Sequence, residues 1–144
     1  MTPIATKGLP LNVVKFLMLI TWTEGTDRDK TPYNELFGFS NFSGYDKHPG
    51  IVIKTPNYSS SAAGRYQILS ATAKMLKMAD FTPESQDKAA IQLIKNAKAY
   101  DDVVAGNWEA AINKTNKVWA SLPGSPYGQP TKKMADAINF LKSL

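Results

Sequence analysis

From Leu9 to Trp22 the chain runs through mostly apolar side chains, and the run closes on Thr23-Glu24-Gly25. This stretch constrains the rest of the fold. It is shorter than the ~20 apolar residues that a bilayer crossing takes, and Lys15 interrupts it. Lys7 ahead of it suggests a secretory segment, but no small-residue cleavage site follows. The better way to hide such a surface is a buried amphipathic helix. Val13, Phe16, Leu17 and Ile20 recur at helical spacing, with Asn12 placed to cap the start and Gly25 the end. Glu24 then stands on the last turn of a buried helix. Apolar neighbours such as Trp22 and the negative end of the helix dipole both disfavour its ionised form. A carboxyl group held protonated near neutral pH can serve as a general acid.

The other chemistries are thinly supplied. There is no cysteine and one histidine, His48. A zinc site takes about three protein ligands rich in those types, and no nucleophile-elbow motif accompanies His48. No metal or cofactor is expected, and carboxylate chemistry remains. The net charge of +5 favours polyanionic partners, among them nucleic acid, anionic lipid and anionic cell wall. The basic residues are dispersed, Lys132-Lys133 being the one adjacent pair, and no nucleic-acid fingerprint is present. A chain of 144 residues fits one domain spanning 1–144.

Residues 26–66 are rich in Gly, Pro, Ser, Asn and Tyr, with a β-like run at Ile51-Val52-Ile53, and read as loops with a small sheet. Beyond them the chain turns helical. Ser70 is a cap for a segment through Met78, and Thr82-Pro83 opens a helix to about Ala99. Asn107 caps a helix whose face includes Trp108, Ala111, Ile112 and Trp119. Thr131 caps a last one with Met134, Ile138 and Leu141. The expected fold class is α+β, mostly α, with a small β-containing lobe inserted after the first helix.

Two further blocks suit a glycan. Ser59-Ser60-Ser61-Ala62-Ala63-Gly64-Arg65-Tyr66-Gln67 combines small residues, which allow close approach, with hydroxyl and amide groups. In Trp119-Ala120-Ser121-Leu122-Pro123-Gly124-Ser125-Pro126-Tyr127-Gly128-Gln129, Trp119 continues a helix stripe and reads as core, leaving Tyr127 as the groove candidate.

Together with Glu35-Leu36-Phe37, Asp46-Lys47-His48-Pro49 and Ser85-Gln86-Asp87, these blocks resemble, in order and over nearly the whole chain, the lambda-type phage endolysins. Those are lytic transglycosylases acting on peptidoglycan. The resemblance implies a lysozyme-like fold with a glycan groove between the β lobe and the helical body. It puts Glu24 at the catalytic glutamate, Ser60, Tyr66 and Gln67 in the groove near it, and Tyr127 on the opposite wall. The family often has Gly where Ala62 stands, and bulkier aromatics at Ala71-Thr72-Ala73. It implies a one-glutamate route: Glu24 protonates the glycosidic oxygen, the muramyl C6 hydroxyl attacks C1, and a 1,6-anhydro ring forms. The rivals are a hydrolytic lysozyme with a second carboxylate, for which Asp27, Asp29, Glu35 and Asp46 are candidates, and a wall-binding module that does not cut. A monomer is expected, without stable membrane association, held in the host cytoplasm until a holin permeabilises the membrane.

Overall fold

The computed structural model describes residues 1–128 and 130–144; Gln129 of the Tyr127-Gly128-Gln129 block lies outside the described residues. Helix α1 spans Leu11–Glu24, and Val13, Phe16, Leu17, Leu19 and Ile20 are fully buried. Burial of each such side chain contributes about 1.5–3 kcal/mol. Helices α3 (Pro83–Asn96), α4 (Tyr100–Ala105) and α6 (Met134–Lys142) pack against α1, and α5 (Trp108–Thr115) joins α4 to α6. One apolar cluster runs from Ile4 to Leu141 and includes Tyr33, Phe42 and Phe81 of the intervening segments.

Between α1 and α2 (Ser70–Met75) lies the small lobe. It holds 3₁₀ turns at Thr26–Arg28 and Pro32–Asn34 and an antiparallel pair, β1 (Ile53–Lys54) and β2 (Ser59–Ser60). The register pairs Ile53 with Ser60 and Lys54 with Ser59. Of the β-like run, Ile53 alone enters a strand, and Ile51 and Val52 are exposed. Single bridges from Leu36 to Ala63 and from Ala63 to Ile68 tie the lobe's segments to one another.

The helix boundaries depart from expectation where local rules compete. Gly25 closes α1 in the left-handed region, as expected (φ 80°). Its start belongs to Pro10, whose carbonyl accepts from the amides of Val13 and Val14. Asn12 is inside the helix and donates instead to the Val104 carbonyl at 2.9 Å, tying α1 to α4. Thr82 caps α3 as expected, its hydroxyl accepting from the Ser85 amide at 3.2 Å. Lys98 takes a left-handed conformation (φ 60°), which ends that helix run and frees the chain for α4, an element not anticipated. Ser70 is the first residue of α2 rather than its cap. Helix α5 stops before Trp119, and α6 begins after Lys133 rather than Thr131.

Candidate active site

Because α1 is the central helix and ends on a glycine in the left-handed region, its last residue faces the seam between lobe and body. Glu24 is half-buried there and lines a groove of about 390 Å³. Glu35, Phe37, Phe39, Ser60, Ala62 and Gln67 come from the lobe, and Val118 and Ala120 from the turn after α5. Removal from water raises the Glu24 carboxyl to about 7, and the Ser121 hydroxyl pulls the other way. At neutral pH a large fraction of Glu24 is therefore an acid with a proton to give.

Gln67 is held in a left-handed conformation (φ 51°), with its side-chain amide donating to the Gly64 carbonyl at 2.9 Å and the Glu35 carbonyl at 3.3 Å. Its amide oxygen has no hydrogen bond within the described residues, leaving an acceptor at the groove wall. Ser60 lies on β2, and its hydroxyl accepts from the Ala62 amide at 3.1 Å.

Two expected groove residues are elsewhere. Tyr66 is 0% exposed, and its hydroxyl donates to Asp87 at 2.6 Å. It is a core residue, because the Gly64 turn directs it into the body while Gln67 faces out. Its neighbour Arg65 is equally buried and donates to the Thr21 hydroxyl and to the carbonyls of Pro3 and Thr2. Tyr127 is 57% exposed and donates its hydroxyl to the carbonyl of Lys117, the residue before Val118, without itself lining the groove. Val118 and Ala120 form that wall in its place. Trp119 is core, as expected, and its indole N–H donates to the Tyr66 carbonyl at 3.0 Å.

Glu35 is the groove residue that the sequence left as one carboxylate among several. It is 3% exposed, and its Oε1 is sealed from water with no donor to satisfy it. Burial first, then the adjacent Asp29 carboxylate, raise it to about 8. Asp29 is kept below the usual carboxylate range by the Thr31 amide, the Asn41 amide and the Thr31 hydroxyl, and by Glu35 itself. The pair therefore shares one proton, with Glu35 as the acid and Asp29 as the base. Phe39 was also missed. An aromatic beside Gly38 in a polar stretch was the available signal, and it stands 58% exposed in the left-handed region (φ 73°).

Asp27 lies in a separate small hollow on another side of Glu24, among Trp22, Arg28 and Lys132. The Trp22 ring there is stacked on Phe140 at 4.6 Å, with the Lys132 ammonium 4.5 Å from its centre.

Comparison with known proteins bears on this geometry. The endolysin of Escherichia phage lambda is 42% identical over 124 residues, covering 79% of this chain and 78% of that protein. The endolysin of Escherichia phage P2 is 36% identical over 137 residues, covering 82% and 83%. The solved bacteriophage lambda lysozyme complexed with a chitohexasaccharide superposes with a TM-score of 0.86 at 34% identity, over 96% of each chain. A second structure, the lysozyme from bacteriophage lambda, gives 0.82 at 35% identity over the same shares. The expected lysozyme-like fold is thus borne out. The family model described as Endolysin matches residues 14–143, and the chain belongs to the endolysin family.

Proposed function

We propose that this protein cleaves the glycan strands of bacterial peptidoglycan as a lytic transglycosylase, with Glu24 as its one acid and base. The observation that carries the reading is the inequality of the two carboxyl groups lining the groove. Glu24 is half-buried and poised near 7. Glu35 is 3% exposed and raised further, to about 8, by burial and the Asp29 carboxylate, which makes it the poorer candidate to activate water. That the solved relative is a complex with a chitohexasaccharide supports a β-linked amino-sugar strand as the occupant.

In this mechanism the Glu24 proton passes to the oxygen linking N-acetylmuramic acid to N-acetylglucosamine, and the bond from that oxygen to C1 breaks. The muramyl C6 oxygen attacks C1 while its proton returns to the Glu24 carboxylate. No water is consumed, and Glu24 ends as it began. The nucleophile belongs to the same sugar, so proximity supplies the advantage that a positioned water would otherwise need. Ser60 and the free oxygen of the Gln67 amide orient the strand. No helix among the described residues is long and apolar enough to cross a membrane; a separate holin giving access to the wall belongs to this reading.

One observation favours the rival. Asp27 shares the second hollow with Glu24 and could hold a water for hydrolysis. Digestion of purified peptidoglycan in ¹⁸O-labelled water separates the two. The transglycosylase yields 1,6-anhydro ends without label. Incorporation of ¹⁸O at C1 in most new ends would mean that water is the nucleophile.

A further inference from the structure

Beside the groove lies a second hollow, of about 530 Å³. Glu35 and Phe39 line both, so the two adjoin along one wall. Phe39 is the rim between them, in a conformation that costs a non-glycine residue about 1 kcal/mol or more. The Arg28 guanidinium lies 4.6 Å from the centre of its ring.

The hollow's lining holds two cations, Arg28 and Lys30, and two carboxyl groups, Asp29 and Glu35, but the two sets are not equally free. Arg28 and Lys30 are exposed, and neither forms an ion pair among the described residues. Asp29 is already engaged by the Thr31 amide at 2.8 Å, the Thr31 hydroxyl at 3.2 Å and the Asn41 amide at 2.8 Å. Glu35 carries a proton at neutral pH. Lys30 is thus an open cation, and Arg28, which also donates to the Gly25 carbonyl at 3.4 Å, is a second one beside a single occupied carboxylate.

We infer that this side hollow binds the acidic peptide branch carried by the glycan whose sugars lie in the groove. The inference rests on the glycan reading above. A wall glycan differs from a plain amino-sugar polymer in the peptide that hangs from every second sugar, and a groove shaped for sugars needs an outlet for each branch. The hollow adjoins the groove at Glu35 and Phe39. Arg28 and Lys30 meet the branch's carboxylates, and the Phe39 ring meets its aliphatic side chains.

The test compares kcat/KM on soluble glycan strands bearing their peptides with the same strands stripped of peptide by an amidase. The wild-type enzyme should prefer the peptide-bearing strands, and the preference should shrink with added salt, as exposed charge pairing does. Lys30→Glu should lower the ratio of the two kcat/KM values about fivefold, the scale of an exposed ion pair, and Lys30→Arg should preserve it. Lys30→Gln, which introduces no new charge, guards against misfolding of the reversal and should lower the ratio by a smaller factor. An unchanged ratio in both variants, or equal losses on both substrates, would overturn the inference. Wild-type enzyme that cuts neither strand would sink the glycan reading itself, whereas one that cuts both without preference sinks the side hollow alone.

Discussion

Glu24 and Glu35 show how burial assigns different work to one residue type. Both carboxyls are raised chiefly by removal from water, but Glu24 opens on the groove and Glu35 faces Asp29. Glu24→Gln should keep the fold and lower kcat by at least 10²–10⁴-fold, the usual contribution of a general acid, since the amide has no acidic proton to give. Glu35→Gln should retain most of the activity, because its amide can donate to Asp29 much as the protonated acid does. Turnover rates of purified variants on wall suspensions check both. A collapse in Glu35→Gln matching that of Glu24→Gln would make Glu35 a participant and the one-acid mechanism wrong.

At the scale of elements, the segment around Gly64 is a fastening rather than a binding face. Gly64 has φ 80°, and a Cβ there would sit on the Gln86 amide. The Gln86 oxygen instead accepts from the Arg65 amide at 3.0 Å. On the same turn of α3, Asp87 gathers four donors from three distant segments: the hydroxyls of Tyr33 and Tyr66 at one oxygen, and the Thr6 amide and hydroxyl at the other. An ionised carboxylate accepts them all, whereas an asparagine would turn its own donors toward donors. Asp87→Asn should therefore destabilise the protein by about 2–4 kcal/mol. Specific activity at low temperature should survive, because Glu24 is on a different element. Chemical denaturation with activity measured on the folded fraction checks this. An unchanged midpoint would show that the four contacts contribute little.

For the whole molecule, raised and lowered carboxyls set opposite slopes of stability against pH. Glu24 and Glu35 have folded values of about 7 and about 8 against an ordinary 4.5. Their favourable contribution is complete below about pH 4.5 and is lost as pH rises through 7 and 8. Asp29 and Asp80 are lowered from 3.8, so their contribution is present above that value and is lost on acidification. The melting temperature should peak near pH 5 and fall toward pH 8, and the double variant Glu24→Gln, Glu35→Gln should flatten that fall. A wild-type curve that rises between pH 5 and 8 would contradict these assignments.

The sequence alone determined what depends on near neighbours. The apolar period of α1, the left-handed glycine that ends it and the Thr82-Pro83 start of α3 are rules of a few residues, and together they placed Glu24 at a buried helix end. The tertiary structure decided what depends on which way a turn faces. Tyr66 and Gln67 are adjacent in a block chosen for its polar groups, yet one is sealed against Asp87 and the other lines the groove. The distant Asp87 and the Trp119 indole select between them. Tyr127 is exposed and bonded to the Lys117 carbonyl rather than in the groove lining, since an aromatic beside glycine and proline carries no direction of its own. Glu35 stood as one acid among four until the fold buried it with Asp29 beside it. Desolvation and charge pairing act through space, and no spacing along the chain encodes them.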